Sequence, residues 1–203
     1  TYYPNRNWEI KGIVANGWQR IQRVEGNSML SYGTAVTYQN EQESGFNWST
    51  FVTTEDPDTA RRIRLFNNLY GKWNRKSWRI LAGFDHGLQQ TEMGSSNWHS
   101  WYGATFIAQK EINRNIKSNM RLEYYNDPNE VIVQANGQGF GVFGLSFGFD
   151  CFPEETIALR FEARHLLGNE AYFVSHKGIT NSNWVITSSL SFKLWGQLYL
   201  NQD

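Results

Sequence analysis

Apolar and polar side chains alternate with a period of two along the whole chain, the spacing that sends successive residues to opposite faces of a β-strand. Trp8, Ile10, Gly12 and Val14 interleave with Glu9, Lys11 and Ile13, and Tyr32, Thr34, Val36 and Tyr38 with Gly33, Ala35 and Thr37. Phe46, Trp48, Thr50 and Val52 oppose Asn47, Ser49 and Thr53. Ile63, Leu65 and Leu69 oppose Arg62, Arg64, Asn68 and Lys72. Trp78, Ile80, Ala82 and Phe84 face away from Arg79, Gly83 and Asp85, as do Trp98, Tyr102, Ala104 and Phe106 from His99, Gly103 and Thr105. Met120, Leu122 and Tyr124 alternate with Lys117, Asn119, Arg121 and Glu123, and Phe143, Leu145, Phe147 and Phe149 with Gly144, Ser146, Gly148 and Asp150. Ile157, Leu159 and Phe161 stand against Arg160, Glu162 and Arg164, and Trp184, Ile186, Leu190 and Phe192 against Thr187, Ser189, Ser191 and Lys193. These predict about ten strands of roughly nine to thirteen residues, longer than the five or six usual in soluble sheets and matched to the nine to eleven that cross a bilayer on a tilt. No segment holds a capped period of 3.6, so no helix is predicted.

The connections predict how the strands are arranged. Short ones, Asn40 to Ser44, Asn74 to Lys76, Lys110 to Arg114 and Cys151 to Glu155, take turns with long ones such as TTEDPDTARR, NDPNEVIVQANGQG and LLGNEAYFVSHKGITNSN. Tight turns at one end and long loops at the other are the asymmetry of outer-membrane barrels. The fold class predicted is therefore all-β, an antiparallel transmembrane β-barrel.

Composition narrows the function. With 203 residues, 19 basic and 19 acidic side chains give no net charge, which disfavours a nucleic-acid partner. No long apolar run suggests a membrane helix. The single cysteine, Cys151, has no internal partner, and no Cys/His cluster has zinc spacing. Aromatic residues make up 16%, in keeping with strands.

In a barrel of this kind the apolar set meets lipid and the polar set lines the interior. That assigns Lys11, Arg62, Arg64, Arg79, Asp85, Lys117, Arg121, Glu123, Arg160, Glu162, Arg164 and Lys193 to the lumen. Dry burial would cost each charge several kcal/mol unless paired, so the interior is either a water-filled path or a plug of ion pairs. Cations outnumber anions in this set, which suggests a mild preference for anions. Trp8, Trp48, Trp73, Trp78, Trp98 and Trp184, with Trp101, Trp195, Tyr70 and Tyr125, are expected near strand ends as a girdle at the headgroup levels.

Asn7 to Gln22 (NWEIKGIVANGWQRIQ), Phe66 to Trp73, Gly83 to Gln90, Met120 to Val133, Gly139 to Asp150 and Leu159 to Leu166 together resemble the porin-like outer-membrane barrels of Bacteroidetes, the OmpL-like β-barrel porin-2 group. The resemblance runs over nearly the whole chain and corresponds to the C-terminal portion of such proteins. It implies that residues 1–203 form one barrel domain, or the C-terminal part of a longer barrel, in a Gram-negative outer membrane. Lipids and lipopolysaccharide would surround it.

The expected function is passive diffusion of small hydrophilic solutes through a charged lumen, without catalysis, cofactor or metal. The alternative is a structural barrel plugged by its own ion pairs and partnered with other outer-membrane proteins. Arg121 and Glu123, like Arg160, Glu162 and Arg164, share a face and read either as a selectivity ladder or as a rigidifying salt-bridge network. Asp85, His86, His99 and His165 could serve a rim enzyme, but Asp85 and His86 are neighbours and point to opposite faces. Asp56, Asp58, Asp127, Asn129 and Glu130 could hold calcium, though Asp-Pro and Asn-Asp are also ordinary turn chemistry.

Overall fold

A computed structural model describes residues 1–176 and 178–193. Strands β1 (Tyr2–Asn5), β2 (Trp8–Ala15), β3 (Ser31–Gln39), β4 (Gly45–Thr53), β5 (Arg64–Arg75), β6 (Trp78–Gln90), β7 (Trp98–Asn113), β8 (Ile116–Asp127), β9 (Phe140–Glu154), β10 (Ile157–Gly168) and β13 (Ser182–Phe192) form one 11-stranded sheet. Neighbours in sequence are neighbours in the sheet, and every pair is antiparallel. The last long connection carries its own hairpin, β11 (Phe173–Ser175) with β12 (Gly178–Thr180). One turn of 3₁₀-helix, Asp58–Ala60, interrupts the loop before β5. Among the described residues β1 and β13 are the two edges and do not pair with each other.

The alternation becomes two faces because residues directly opposite each other in the ladder share a side of the sheet. One row of such partners runs Ile10, Val36, Trp48, Leu69, Phe84, Ala104, Tyr124, Phe143 and Leu167. The next row, one residue along and on the other side, runs Lys11, Ala35, Ser49, Asn68, Asp85, Gly103, Tyr125 and Val142. A register slip of one residue would exchange the two rows completely. The bulges, at Tyr2/Asn5, Glu111/Asn113 and Ile157/Leu159, all sit at the short-turn end.

The short turns are tighter than the sequence predicts. β7 runs on to Asn113 and β9 to Glu154, leaving Arg114–Asn115 and Glu155–Thr156 between strands. Ladder pairing continues as long as amide and carbonyl find partners, and polar side chains there do not prevent it. Asparagines shape three of these turns: Asn5, Asn40 and Asn113 each accept the amide of the second residue on through Oδ1, at 2.9–3.0 Å. β1 and the β11–β12 hairpin have too few residues to show a period, so neither is predicted.

The large apolar side chains do not collect in a core. Trp48, Phe84, Phe147, Phe149, Phe161 and Ile186 are all exposed on the first face, Ile186 by 84%. Among the described residues the buried apolar ones are small, apart from Trp101 at 3%.

Candidate functional site

The second face carries the charges. Ladder pairing puts Lys11, Arg64, Arg79, Asp85, Lys117, Arg121, Glu123, Arg160, Glu162 and Arg164 on it together. Arg62 is not with them. It precedes β5, where Asp56 grips it through two bonds of 2.9 Å, and that grip draws it into the loop. Lys193 follows β13, with its amide on the Thr156 carbonyl.

Four of these cations sit by carboxylates. Arg164 bonds Glu123 and Arg121 bonds Glu162, each across the intervening strand β9. Arg160 lies 3.9 Å from Asp150, and Lys11 2.8 Å from Glu9. The crossing is permitted by β9 itself. Between Val142 and Asp150 its residues on this face are Gly144, Ser146 and Gly148, and a Cβ at Gly144 would come 2.5 Å from Glu123, one at Gly148 2.6 Å from Asn119. Small residues thus leave a gutter in which side chains of β8 and β10 lie flat along the wall. Lys72, Arg79 and Lys117 lie on the same face with no carboxylate at ion-pair distance among the described residues.

Toward the long loops this face turns aromatic. Trp101, expected in an outward girdle, points inward and lies flat against β6, where a Cβ on Gly87 would fall inside its indole. Arg64 stands 5.6 Å from the Trp101 ring and 5.8 Å from that of Trp18, while its guanidinium donates to Gln89. Trp18 packs edge-on against Phe66 at 4.4 Å. Tyr70 and Tyr125, also expected outward, are on this side too. Trp18 arrives because the loop after β2 is clasped by the loop after β4. Glu55 accepts the Trp18 amide at 2.8 Å and pairs with Arg20, Asp58 accepts the Ser28 amide at 3.0 Å, and Asn27 donates to the Thr54 carbonyl at 3.1 Å. Under this clasp is a cavity of about 1020 Å³ lined by both tryptophans, Phe51, Phe66, Arg64, Asn68, Asp85 and Tyr125.

Loop carboxylates serve the backbone and their own arginines. The Arg61 guanidinium, and then Ser28, hold the Asp58 carboxyl down at about 2. Arg62 lowers Asp56 and is raised in return. Asp127, with no exposed surface, accepts the amides of Val131, Ile132 and Val133 at 2.7–3.0 Å. Glu130 is lowered by the backbone amides of Ala135 and Gly139. The oxygen-rich loops are therefore occupied as turn chemistry, and no group of three or more His, Cys, Asp or Glu among the described residues is placed to hold a metal ion.

The rim-enzyme residues do not assemble. Asp85 faces inward beside Asn68, and His86 outward beside Asn67. His99 is the ladder partner of Gln89. His165 is outward, stacked on Trp184 at 4.5 Å with Nε2 2.8 Å from Ser182 Oγ, and no carboxylate among the described residues bonds it.

The girdle residues Trp8, Trp48, Trp73, Trp78, Trp98 and Trp184 are all on the first face. Trp8, Trp73 and Trp78 lie at short-turn ends, and Trp98 and Trp184 near long-loop ends. Trp48 stands in the middle of β4. Trp195 lies outside the described residues.

The inward aromatics Trp18, Phe51, Phe66 and Trp101 were not legible as site residues. The one local signal is a glycine, Gly87, opposite a tryptophan in the ladder.

Comparison with known proteins agrees with this geometry. No curated protein matches the chain. The family model described as "Putative beta-barrel porin-2, OmpL-like" matches residues 1–194. An antiparallel sheet with its large apolar side chains outward and its charges on the other face is what such a barrel requires, and the chain belongs to this porin-like β-barrel family.

Proposed function

We propose that the chain forms the wall of an outer-membrane porin through which small hydrophilic solutes diffuse passively. The observation that carries the reading is the segregation of the two faces across the whole sheet. Exposed Trp, Phe, Ile and Leu on one face suit hydrocarbon tails, and paired or hydrated charges on the other suit a wet lumen. The ion pairs support an open path over a plug. Arg121–Glu162 and Arg164–Glu123 join β8 to β10 along the wall, and none of the described ion pairs reaches across to a strand on the far side. Lipid and lipopolysaccharide would be its surroundings, and selectivity would come from Arg, Lys and carboxylate side chains that replace part of a solute's hydration.

Liposome swelling with the purified protein tests this. Uptake of small sugars and amino acids is expected, falling steeply with solute size. A folded protein that excludes all of them would instead be an accessory barrel, the second reading of the charged lumen.

A further inference from the structure

The cavity under the clasped loops has a make-up that narrows the solute. Its Arg20 and Glu55 neutralise each other. That leaves one cation, Arg64, and one carboxylate, Asp85, neither in an ion pair among the described residues, so the chamber as a whole is neutral. The Asp85 carboxylate has a donor in Asn68 Nδ2 and keeps further acceptor sites. The Tyr125 hydroxyl is buried with no partner among the described residues. Both residues also line an adjoining cavity of about 390 Å³, so they form the sill between the two spaces. On the same cavity wall Trp18 and Phe66 make an aromatic corner.

A solute bearing charge of a single sign would meet Arg64 and Asp85 together and be repelled by one of them. A neutral ring bearing several hydroxyls meets no such conflict. Each hydroxyl both donates and accepts, matching an open carboxylate and an unpaired phenol, and its C–H face suits an aromatic wall. A volume of about 1020 Å³ is at the upper end of ordinary ligand sites and admits a disaccharide. We propose that this chamber is a binding subsite for neutral sugars, with Asp85 and Tyr125 as the hydrogen-bonding pair and Trp18 and Phe66 as the stacking wall. The proposal rests on the diffusion reading and narrows its solutes.

The test is a maltose titration of the purified protein in detergent, followed by tryptophan fluorescence, with tetraethylene glycol as the control. Saturable change with maltose and none with the glycol is expected. Asp85→Asn and Tyr125→Phe should each raise the half-saturating maltose concentration about tenfold. Tyr125→Phe removes an unpartnered hydroxyl and keeps the ring, so it should fold as the parent does and separates binding from folding. A linear response equal to the glycol's, or unchanged affinity in both variants, overturns the subsite. The same protein in planar bilayers distinguishes the two readings. Conductance without saturable maltose binding defeats the subsite alone, whereas saturable binding without conductance upholds the subsite and defeats diffusion.

Discussion

Gly87 is fixed by its neighbour in the ladder. With any Cβ there, the Trp101 indole would have to lift off β6 and leave the stack it makes with Arg64. Overpacking of this sort costs about 1–3 kcal/mol, so Gly87→Ala should lower the urea midpoint of the folded protein in detergent. The same change in a Trp101→Ala background should cost far less, because the clashing ring is gone, and that non-additivity is the measurement that identifies the contact. Asp58 gives a second prediction at this scale. Its carboxyl falls from an ordinary 3.8 to about 2 because Arg61 and Ser28 bond its charged form. A depressed value means that its contribution is complete above 3.8 and is lost as the pH falls through about 2. Pepsin cleavage within residues 16–30 should therefore stay slow near pH 4 and accelerate toward pH 2. Asp58→Asn should be cut quickly at both.

At the scale of elements, β9 and the loop that leads into it do different work with similar economy. The strand contributes absence: Gly144, Ser146 and Gly148 leave the space over which β8 and β10 exchange their charges. The loop is held by one buried carboxylate. Asp127 ends β8 and gathers three consecutive amides, and leaving them unsatisfied would cost about 1–3 kcal/mol. Asp127→Ala should therefore speed hydrogen exchange at Val131, Ile132 and Val133 by about tenfold or more, while the amides of β8 keep their protection. Much at this scale was legible beforehand. Period-two alternation gave the long strands and the sides of Arg121, Glu123, Arg160, Glu162 and Arg164. The turn at Asn40 to Ser44 fell where its asparagine and polar run put it. What stayed hidden was whatever hydropathy reads backwards. Trp101, Phe51 and Phe66 are apolar yet inward, because a loop folds over them and supplies Trp18 as a partner. Arg62 alternates correctly with β5 but belongs to Asp56. Such facts depend on loop-to-loop bonds that a strand period does not encode.

For the whole molecule, surface area and charge both follow from an outward apolar face. The chain exposes 14297 Å², against about 9800 Å² expected for a compact soluble protein of 23.6 kDa. Large apolar side chains such as Trp48, Phe147, Phe149, Phe161 and Ile186 lie on that surface, and an exposed apolar face of this kind needs lipid or detergent to stay soluble as a monomer. The charge follows from what the wall leaves unpaired. Lys11, Arg121, Arg160 and Arg164 are offset by nearby carboxylates, which cancels their fields at a distance. Arg64, Lys72, Arg79 and Lys117 have no such partner among the described residues, against Asp85, Glu111 and the buried Asp127 on the same side. The unpaired charge on this face is therefore positive on balance although the chain as a whole carries no net charge. In planar bilayers under a salt gradient the reversal potential should lie toward that of chloride. It should shrink at about 1 M salt, where the screening length falls to about 3 Å. Arg79→Glu combined with Lys117→Glu changes the balance by four charges without touching the pairs over β9. It should carry the reversal potential across zero to the cation side. A parent protein already selective for cations would mean that the paired carboxylates, and not the unpaired cations, face the permeating ion.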